Sequence, residues 1–328
     1  MKTTILGAGA WGTALARLLC RNRTGEVVLW GRSREQLNEI QRLRRNEAYL
    51  PGIDLPPTLK VDGDLPRAVG GADLVVVAVP SRGFRDITAG LRGFSGTIVS
   101  VTKGIEYESG LTMTGILRQN CPSARCAALS GPSFADEVAR DIPTAVVAAS
   151  EDQQTAKAVQ ALFSSPVFRV YTSTDWLGVE LGGALKNVIA IAAGCSDGLG
   201  FGDNSKAALV TRATVELRRL GEACGARGST FTGLSGLGDL VATCFSRLSR
   251  NRGFGERVGR GENPKQIISH SHAVVEGYPT ARSAYHLARV RSVSTPVIDE
   301  VYAMLYEGKD VRKTVSDLMV REAKPEQD

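Results

Sequence analysis

Thr3-Thr4-Ile5-Leu6-Gly7-Ala8-Gly9-Ala10-Trp11-Gly12-Thr13-Ala14-Leu15-Ala16 is the stretch on which the fold of this chain turns. A β-prone run feeds three glycines spaced G-x-G-x-x-G, and these open into an alanine- and leucine-rich helix. Gly7 allows a sharp strand-to-helix turn, Gly9 lets backbone approach a pyrophosphate, and Gly12 lets the helix pack closely on its strand. A diphosphate then sits on the helix N-terminus, where unpaired N–H groups and the dipole favour negative charge. Glycine-rich turns are common, so the weight of this pattern comes from what surrounds it.

The same residues imitate a signal peptide. Lys2, the apolar stretch and Ala14-Leu15-Ala16 have its outline, and Leu18-Leu19-Cys20 copies a lipoprotein cleavage site. The glycines interrupt the would-be apolar core, so the strand–turn–helix reading stands and a cytoplasmic protein is expected. Further on, Glu26–Trp30 reads as a second parallel strand, closing a βαβ unit of about 30 residues. Sites that choose NAD place an acid after this strand; here the chain reads Gly31-Arg32-Ser33-Arg34. Arg32 suits a 2′-phosphate, which favours NADPH over NADH. The alternative is a pair of exposed arginines at a helix start.

A helix is expected over residues 34–45, then a proline-rich connection over 51–57. Strands follow at 73–81, 97–104, 127–133, 144–149 and 168–171, the first of them an apolar run buried on both faces. Ligands in open sheets bind beyond the carboxyl ends of strands, so Pro80-Ser81, Lys103-Gly104 and Gly131-Pro132-Ser133 should face one crevice. Near residue 175 the character changes: β-branched runs cease, and Val179, Leu181, Leu185, Val188, Ile189 and Ala192 recur at helical spacing. The expected fold is α/β, a Rossmann-type doubly wound sheet over residues 1–175 followed by an all-α domain over 176–328, with a frayed polar tail at 321–328.

A chain of 328 residues is long enough for two such domains. Its apolar runs are strand-length, so no membrane insertion is expected. The six scattered cysteines contain no Cys-x-x-Cys and read as free thiols. A net charge of +6 admits a nucleic-acid partner or small anionic ligands. Arginines cluster at Arg42, Arg44 and Arg45 and again at Arg247, Arg250 and Arg252, but without aromatic interleaving or a nucleic-acid motif. Small anions fit better, and the first cluster reads equally well as a solvated face.

Nicotinamide chemistry on a carbonyl needs a proton donor and acceptor beside the reacting oxygen. The histidines are His270, His272 and His286, none of them in a glycine-rich or polar cluster. His270-x-His272 lacks a nearby acid or cysteine cluster, so no metal is expected. Lys186 stands out instead, within Glu180-Leu181-Gly182-Gly183-Ala184-Leu185-Lys186-Asn187, an otherwise apolar helix. Burial beside other cations would lower its pKa toward neutrality; the alternative is a snorkelling surface lysine. Asp239, in Gly236-Leu237-Gly238-Asp239-Leu240, reads as an N-cap or a site residue. Ser249-Arg250-Asn251-Arg252 offers the hydroxyl, guanidinium and amide donors that a phosphate needs, as an ordinary charged turn also would.

Taken together, the glycine-rich start, Asn46 through Pro51, Val79-Pro80-Ser81, Thr102-Lys103-Gly104, Ser130 through Ala135, Leu181 through Ala190, Ser196 through Gly202, Gly236 through Leu240, Ser249 through Arg252 and Val275-Glu276-Gly277 resemble bacterial NAD(P)-dependent sn-glycerol-3-phosphate dehydrogenases over nearly the whole chain. The resemblance implies reversible reduction of dihydroxyacetone phosphate to sn-glycerol 3-phosphate, feeding phospholipid synthesis. It implies Lys186 as the proton acceptor in the oxidation direction, and substrate contacts from Lys103, Gly131, Ser133, Lys186, Asp239, Ser249, Arg250 and Asn251. The cofactor would lie on Gly7, Gly9, Ala10, Trp11 and Gly12, with Arg32 near its adenosine end. It would also meet Lys103, Ala135, Arg250, Val274 and Glu276, and Tyr49 is a further candidate. A homodimer is implied as well. Val101 departs from the alanine expected there, and Gly31 to Arg34 lies in a variable part of the family. Rival readings are a 6-phosphogluconate or 3-hydroxyacid dehydrogenase, which would lack Gly236 to Leu240 together with Ser249 to Asn251, and a dinucleotide sensor without turnover, which would not need Lys186 and Asp239.

Overall fold

The computed structural model describes residues 1–271, 274–320 and 326. The chain begins β1 (Lys2–Leu6), α1 (Ala10–Arg21), β2 (Glu26–Trp30), α2 (Arg34–Leu43), β3 (Lys60–Asp62), α3 (Leu65–Val69), β4 (Leu74–Val77), α4 (Phe84–Ala89) and β5 (Thr97–Ser100). It continues α5 (Met113–Asn120), β6 (Arg125–Ser130), α6 (Ala135–Ala139), β7 (Thr144–Ala149), α7 (Gln153–Phe163) and β8 (Phe168–Ser173). Among the described residues after 175 the regular elements are all helical: α8 (Trp176–Gly198), α9 (Asp203–Ala223), α10 (Asp239–Phe245), α11 (Arg250–Gly259), α12 (Pro264–Ser269), α13 (Gly277–Val290), α14 (Pro296–Tyr302) and α15 (Val311–Met319), with short 3-10 and π turns between some of them.

The eight strands form one sheet in the order β3-β2-β1-β4-β5-β6-β7-β8. All neighbours are parallel except β6 and β7. Every residue of β4 and β5 is buried, as strands covered by helices on both faces require. The order reverses between β1 and β4, and the loops leaving β1, β4, β5 and β6 there carry Gly7, Pro80-Ser81, Lys103 and Gly131. Strand β3 gave no sequence signal, because its three residues are only partly buried at the sheet edge. Helix α2 stops two residues short of the expected 45, since Arg44 takes a left-handed conformation (φ 53°) that ends it. All six cysteines are free.

Helix α8 is the axis of the second half. Over residues 178–191 every side chain is buried. By length and composition it could cross a membrane, one such helix among the described residues, yet it lies inside the protein. Only strand-length runs were expected because Glu180 and Lys186 interrupt the apolar sequence; the helix nonetheless continues through both. Against it packs α11 at a distance that only glycine permits. A Cβ at Gly194 would lie 2.0 Å from the carbonyl oxygen of Arg252, and one at Gly255 would lie 2.0 Å from that of Ile191. Glycine costs a helix interior about 1 kcal/mol relative to alanine. The cost is offset by backbone-to-backbone packing that fixes the N-terminus of α11 over the middle of α8. The expected polar tail at 321–328, apart from Glu326, lies outside the described residues.

Candidate active site

Three charged side chains from three different elements meet at the centre of the cleft between sheet and helices. Lys186, the eleventh residue of α8, is 6% exposed, and Asp239, the first residue of α10, is 2% exposed. Lys186 Nζ donates to Asp239 Oδ1 at 2.5 Å and to Thr243 Oγ1 at 2.6 Å. Lys103, from the loop after β5, donates to the other oxygen, Asp239 Oδ2, at 2.5 Å and to the Gly131 carbonyl at 3.0 Å. One carboxylate is thus shared by two ammonium groups. Asp239 does not act as an N-cap: that position belongs to Gly238, and the carboxylate is turned to the lysines. Lys186 does not snorkel.

Burial pushes the Lys186 amine down to about 8, the Lys103 charge adds to this, and Asp239 opposes it. Near neutral pH the group therefore exchanges protons readily, the property that acid–base catalysis needs. Local sequence explains the approach of the parts. A Cβ at Gly183 would lie 2.5 Å from Ser130 Oγ and 3.5 Å from Lys103 Cγ, so glycine lets α8 reach the end of β6. A π-helical turn, Leu234–Gly238, runs directly into α10, and Gly182 admits it: a Cβ there would stand 2.6 Å from the Ser235 carbonyl oxygen.

Around this centre the other expected residues take different places. Ser133 Oγ donates to the Gly131 carbonyl at 3.0 Å, beside Lys103. Ser249 caps α11 by accepting from Arg252 N at 3.1 Å. Asn251 Nδ2 donates to Asn187 Oδ1 at 2.8 Å while its Oδ1 accepts from Gly277 N at 2.9 Å, so its amide ties α8, α11 and α13 together. Arg250, the first residue of α11, is exposed, and its guanidinium has no hydrogen-bond or ion-pair partner among the described residues. Its field bears on Glu276, whose carboxylate accepts from Ser81 N at 3.0 Å and from Ser81 Oγ at 2.5 Å. Burial raises the Glu276 carboxyl above the usual carboxylate range. Glu276, Val274, Pro80 and Arg82 line a cavity of about 230 Å³ at this mouth.

On the other side of the cleft the glycine loop has the form a diphosphate requires. Gly7 has φ +120°, and a Cβ there would lie 2.6 Å from the Ala78 carbonyl oxygen. Gly12 faces Gly7 O, which a Cβ would approach to 1.9 Å. Gly9 differs: a Cβ would meet nothing within 4 Å, so the space before it is open. Helix α1 has no side-chain cap and no acid in its first turn, leaving the N–H groups of Ala10 and Trp11 for an anion. Ala135 begins α6, which packs against α1. Arg32 and Arg34 stand exposed beyond β2. Tyr49 is 51% exposed on the turn that follows α2. The donor set and the open cradle fit a dinucleotide.

Two residues carry weight that the sequence reading did not assign. Thr243 lies one helical turn after Asp239 and receives Lys186; the spacing Asp-x-x-x-Thr on a helix is the signal that would have found it. Asn46, 2% exposed, donates to the Ala8 carbonyl at 2.9 Å and to Thr13 Oγ1 at 2.7 Å, bracing the glycine loop from behind. No group of three potential metal ligands occurs among the described residues. His270 contacts the Gln266 carbonyl at 2.8 Å, the His286 ring lies tilted beside that of Tyr107 with centroids 5.4 Å apart, and His272 lies outside the described residues.

Family models for the NAD-dependent glycerol-3-phosphate dehydrogenase N-terminus and C-terminus match residues 2–156 and 175–316. The chain belongs to this family. It is 46% identical to the glycerol-3-phosphate dehydrogenase (NAD(P)+) of Chlorobium limicola over 99% of each chain, and 47% identical to that of Geobacter sulfurreducens over 98% of each. Its structure is similar to the glycerol-3-phosphate dehydrogenase from Coxiella burnetii, with TM-score 0.93 at 37% identity over 98% of this chain and 99% of that one. A ketopantoate reductase of the PanE/ApbA family from Ralstonia eutropha shares the fold alone, at TM-score 0.60 and 17% identity over 97% of this chain and 100% of that one. The α/β class with a helical second half is the family's fold, and the use of a nicotinamide dinucleotide follows from membership.

Proposed function

We propose that this protein reduces dihydroxyacetone phosphate reversibly to sn-glycerol 3-phosphate with NAD(P)H, in the cytoplasm, supplying glycerophospholipid synthesis. The observation that carries the reading is the buried Lys103–Asp239–Lys186 arrangement, with the unpaired Arg250 at the edge of the same cleft. The working unit is a dinucleotide-binding domain over residues 1–175 and a catalytic domain over 176–328. The Rossmann loop of Gly7, Gly9, Ala10, Trp11 and Gly12 holds the cofactor's diphosphate, and the cofactor when bound supplies or accepts the hydride.

The remaining work falls to the side chains. Lys186 gives a proton to the substrate oxygen during reduction and takes one during oxidation. Asp239 holds the Lys186 ammonium and, through its second oxygen, Lys103. Lys103 adds positive charge where negative charge develops on the reacting oxygen. Thr243 fixes the lysine rotamer from below. Arg250 binds the phosphate through its planar fork, with the first-turn N–H groups of α11 behind it. Ser133 and Gly131 border the substrate next to Lys103, while Ser249 and Asn251 hold the phosphate-binding segment in place.

NADPH is the favoured cofactor, supported by the exposed Arg32 and Arg34 at the end of β2, where no acid stands. Association into a homodimer is supported by Leu237, Val241 and Phe245, spaced four residues apart and between 37% and 44% exposed. The test of the activity is NADPH oxidation with dihydroxyacetone phosphate by wild type and Lys186→Ala. Turnover in the wild type and its loss by at least about a hundredfold in the variant, with NADPH binding retained, is expected of a general acid–base residue. Wild-type turnover in Lys186→Ala would remove the assigned base.

A further inference from the structure

Six residues before Lys186 on α8 sits Glu180, a carboxylate 6% exposed that forms no ion pair among the described residues. Its partners lie in the other half of the protein. Thr114 N donates to Oε1 at 2.9 Å and to Oε2 at 3.2 Å, and Thr114 Oγ1 donates to Oε1 at 2.8 Å. These are the groups at the start of α5, so Glu180 caps that helix from another element.

A local cap was at hand and is not used. Thr112 occupies the N-cap position of α5 but makes no capping bond; its buried hydroxyl is turned instead to the Glu180 carboxylate, which it helps to hold in the charged form. A threonine cap is worth about 1 kcal/mol and needs no buried charge. Desolvating a carboxylate instead costs several kcal/mol, a poor exchange if the stability of α5 were its only return. What the distant carboxylate adds is registry between α8 and the segment ahead of α5. That segment begins at Lys103, and its arms are held together by the Ile105–Thr112 bridge and by Glu106 N donating to the Leu111 carbonyl at 2.9 Å.

The contacts close a ring. From Lys103 the path runs through Asp239 to Lys186, along α8 for six residues, about 9 Å at 1.5 Å per residue, to Glu180, then through Thr114 and the base of the loop back to Lys103. We propose that Glu180 is a positioning residue, the strut that sets how closely Lys103 and Lys186 share Asp239. The proposal rests on the reading of Lys186 as the proton-exchanging group. When the strut is removed, the loop drifts from α8, Lys103 bears less on Lys186, and water reaches the amine. Both changes favour the ammonium form, so the affinity of Lys186 for its proton rises.

The test uses full-length protein without added cofactor, with Lys186 followed by competitive acetic anhydride labelling across pH and mass spectrometry, and with NADPH-dependent turnover measured beside it. In Glu180→Ala the labelling midpoint is expected to rise by at least about half a pH unit, a threefold change in the neutral fraction. The turnover number kcat should fall at least about fivefold while KM for NADPH stays within about twofold. Glu180→Gln, which keeps an oxygen for Thr114 N, should restore both. Thr114→Val removes one donor and should shift the midpoint in the same direction by less; if Glu180→Ala does not fold, this variant decides. An unchanged midpoint and unchanged kcat per folded molecule in either variant would overturn the proposal. A wild type inert toward dihydroxyacetone phosphate, with the labelling shift still present, would instead count against the assigned reaction and leave the strut standing.

Discussion

Replacing Asp239 by asparagine keeps the shape of the site and removes the one negative charge that both lysines share. In the native protein the carboxylate lies 2.5 Å from each ammonium nitrogen. It favours charged Lys186, opposing the burial that brings the amine to about 8. With the charges about 4 Å apart and an effective dielectric of about 20, the interaction amounts to roughly 4 kcal/mol. At about 1.36 kcal/mol per pH unit that is a ceiling of about three units, and opposite charges at this distance commonly move a pKa by one to three. The sign is fixed: without the carboxylate the ammonium is less favoured, so the pKa falls from about 8 to between about 5 and about 7. Steady-state kcat/KM in both directions across pH reports this group in the free enzyme. The ascending limb of glycerol 3-phosphate oxidation and the descending limb of ketone reduction should both move to lower pH. For a two-unit shift, the protonated fraction available for reduction at pH 7.5 drops roughly 25-fold. A limb that stays near pH 8 or moves upward would show that Asp239 is not what keeps Lys186 charged, and the charge-sharing argument would fail with it.

Gly9→Ala separates cofactor binding from folding: the added Cβ meets nothing within 4 Å, and the backbone there, φ −78° and ψ −177°, suits any residue. Thermal unfolding should therefore show a cost of no more than about 1 kcal/mol, while fluorescence titration shows NADPH affinity reduced at least about tenfold. Gly194→Ala should do the reverse, because its Cβ would stand 2.0 Å from the Arg252 carbonyl oxygen and push α11 from α8. Denaturant unfolding should register a loss of at least about 2 kcal/mol, with KM for the phosphorylated substrate raised more than KM for NADPH. Arg32→Ala should lower kcat/KM for NADPH by about tenfold and leave that for NADH within about twofold, since only the former presents a 2′-phosphate. Equal effects on both cofactors would identify Arg32 as one more solvated arginine.

The sheet was legible because its signals are local. Fully buried β4 is a continuous apolar run, β5 centres on the β-branched Ile98-Val99, and Gly7, Gly9 and Gly12 mark the first crossover by spacing alone. The site was legible in its composition but not in its partnerships. Lys186 and Asp239 could be singled out as charges in glycine-rich apolar settings, yet nothing in their spacing, 53 residues apart, says that one carboxylate serves both Lys186 and a loop lysine 136 residues before it. Glu180 received no role in the sequence reading for the same reason. A carboxylate at one position of a helix reads as a solvated residue until the helix is known to be buried on all sides, and α8 is buried because α10, α11 and α13 surround it. Asn46 and Asn251 illustrate a further limit, since an asparagine's two functional ends find partners that only tertiary structure selects.

Lys103 enters from the sheet, whereas Lys186 and Asp239 enter from the helices, and Arg250 stands nearby with no salt bridge among the described residues, its field reaching Glu276. The crevice thus holds more positive than negative charge before anything is bound, and a phosphorylated ligand arrives as the missing anion. Its binding mends an electrostatic imbalance that spans both lobes, so occupancy should stiffen the whole molecule, slowing amide exchange in α10 and in the loop after β5 together. The same imbalance makes the two lobes poor independent folding units for this purpose: separated, neither retains the full complement of charges that gives the ligand a reason to stay.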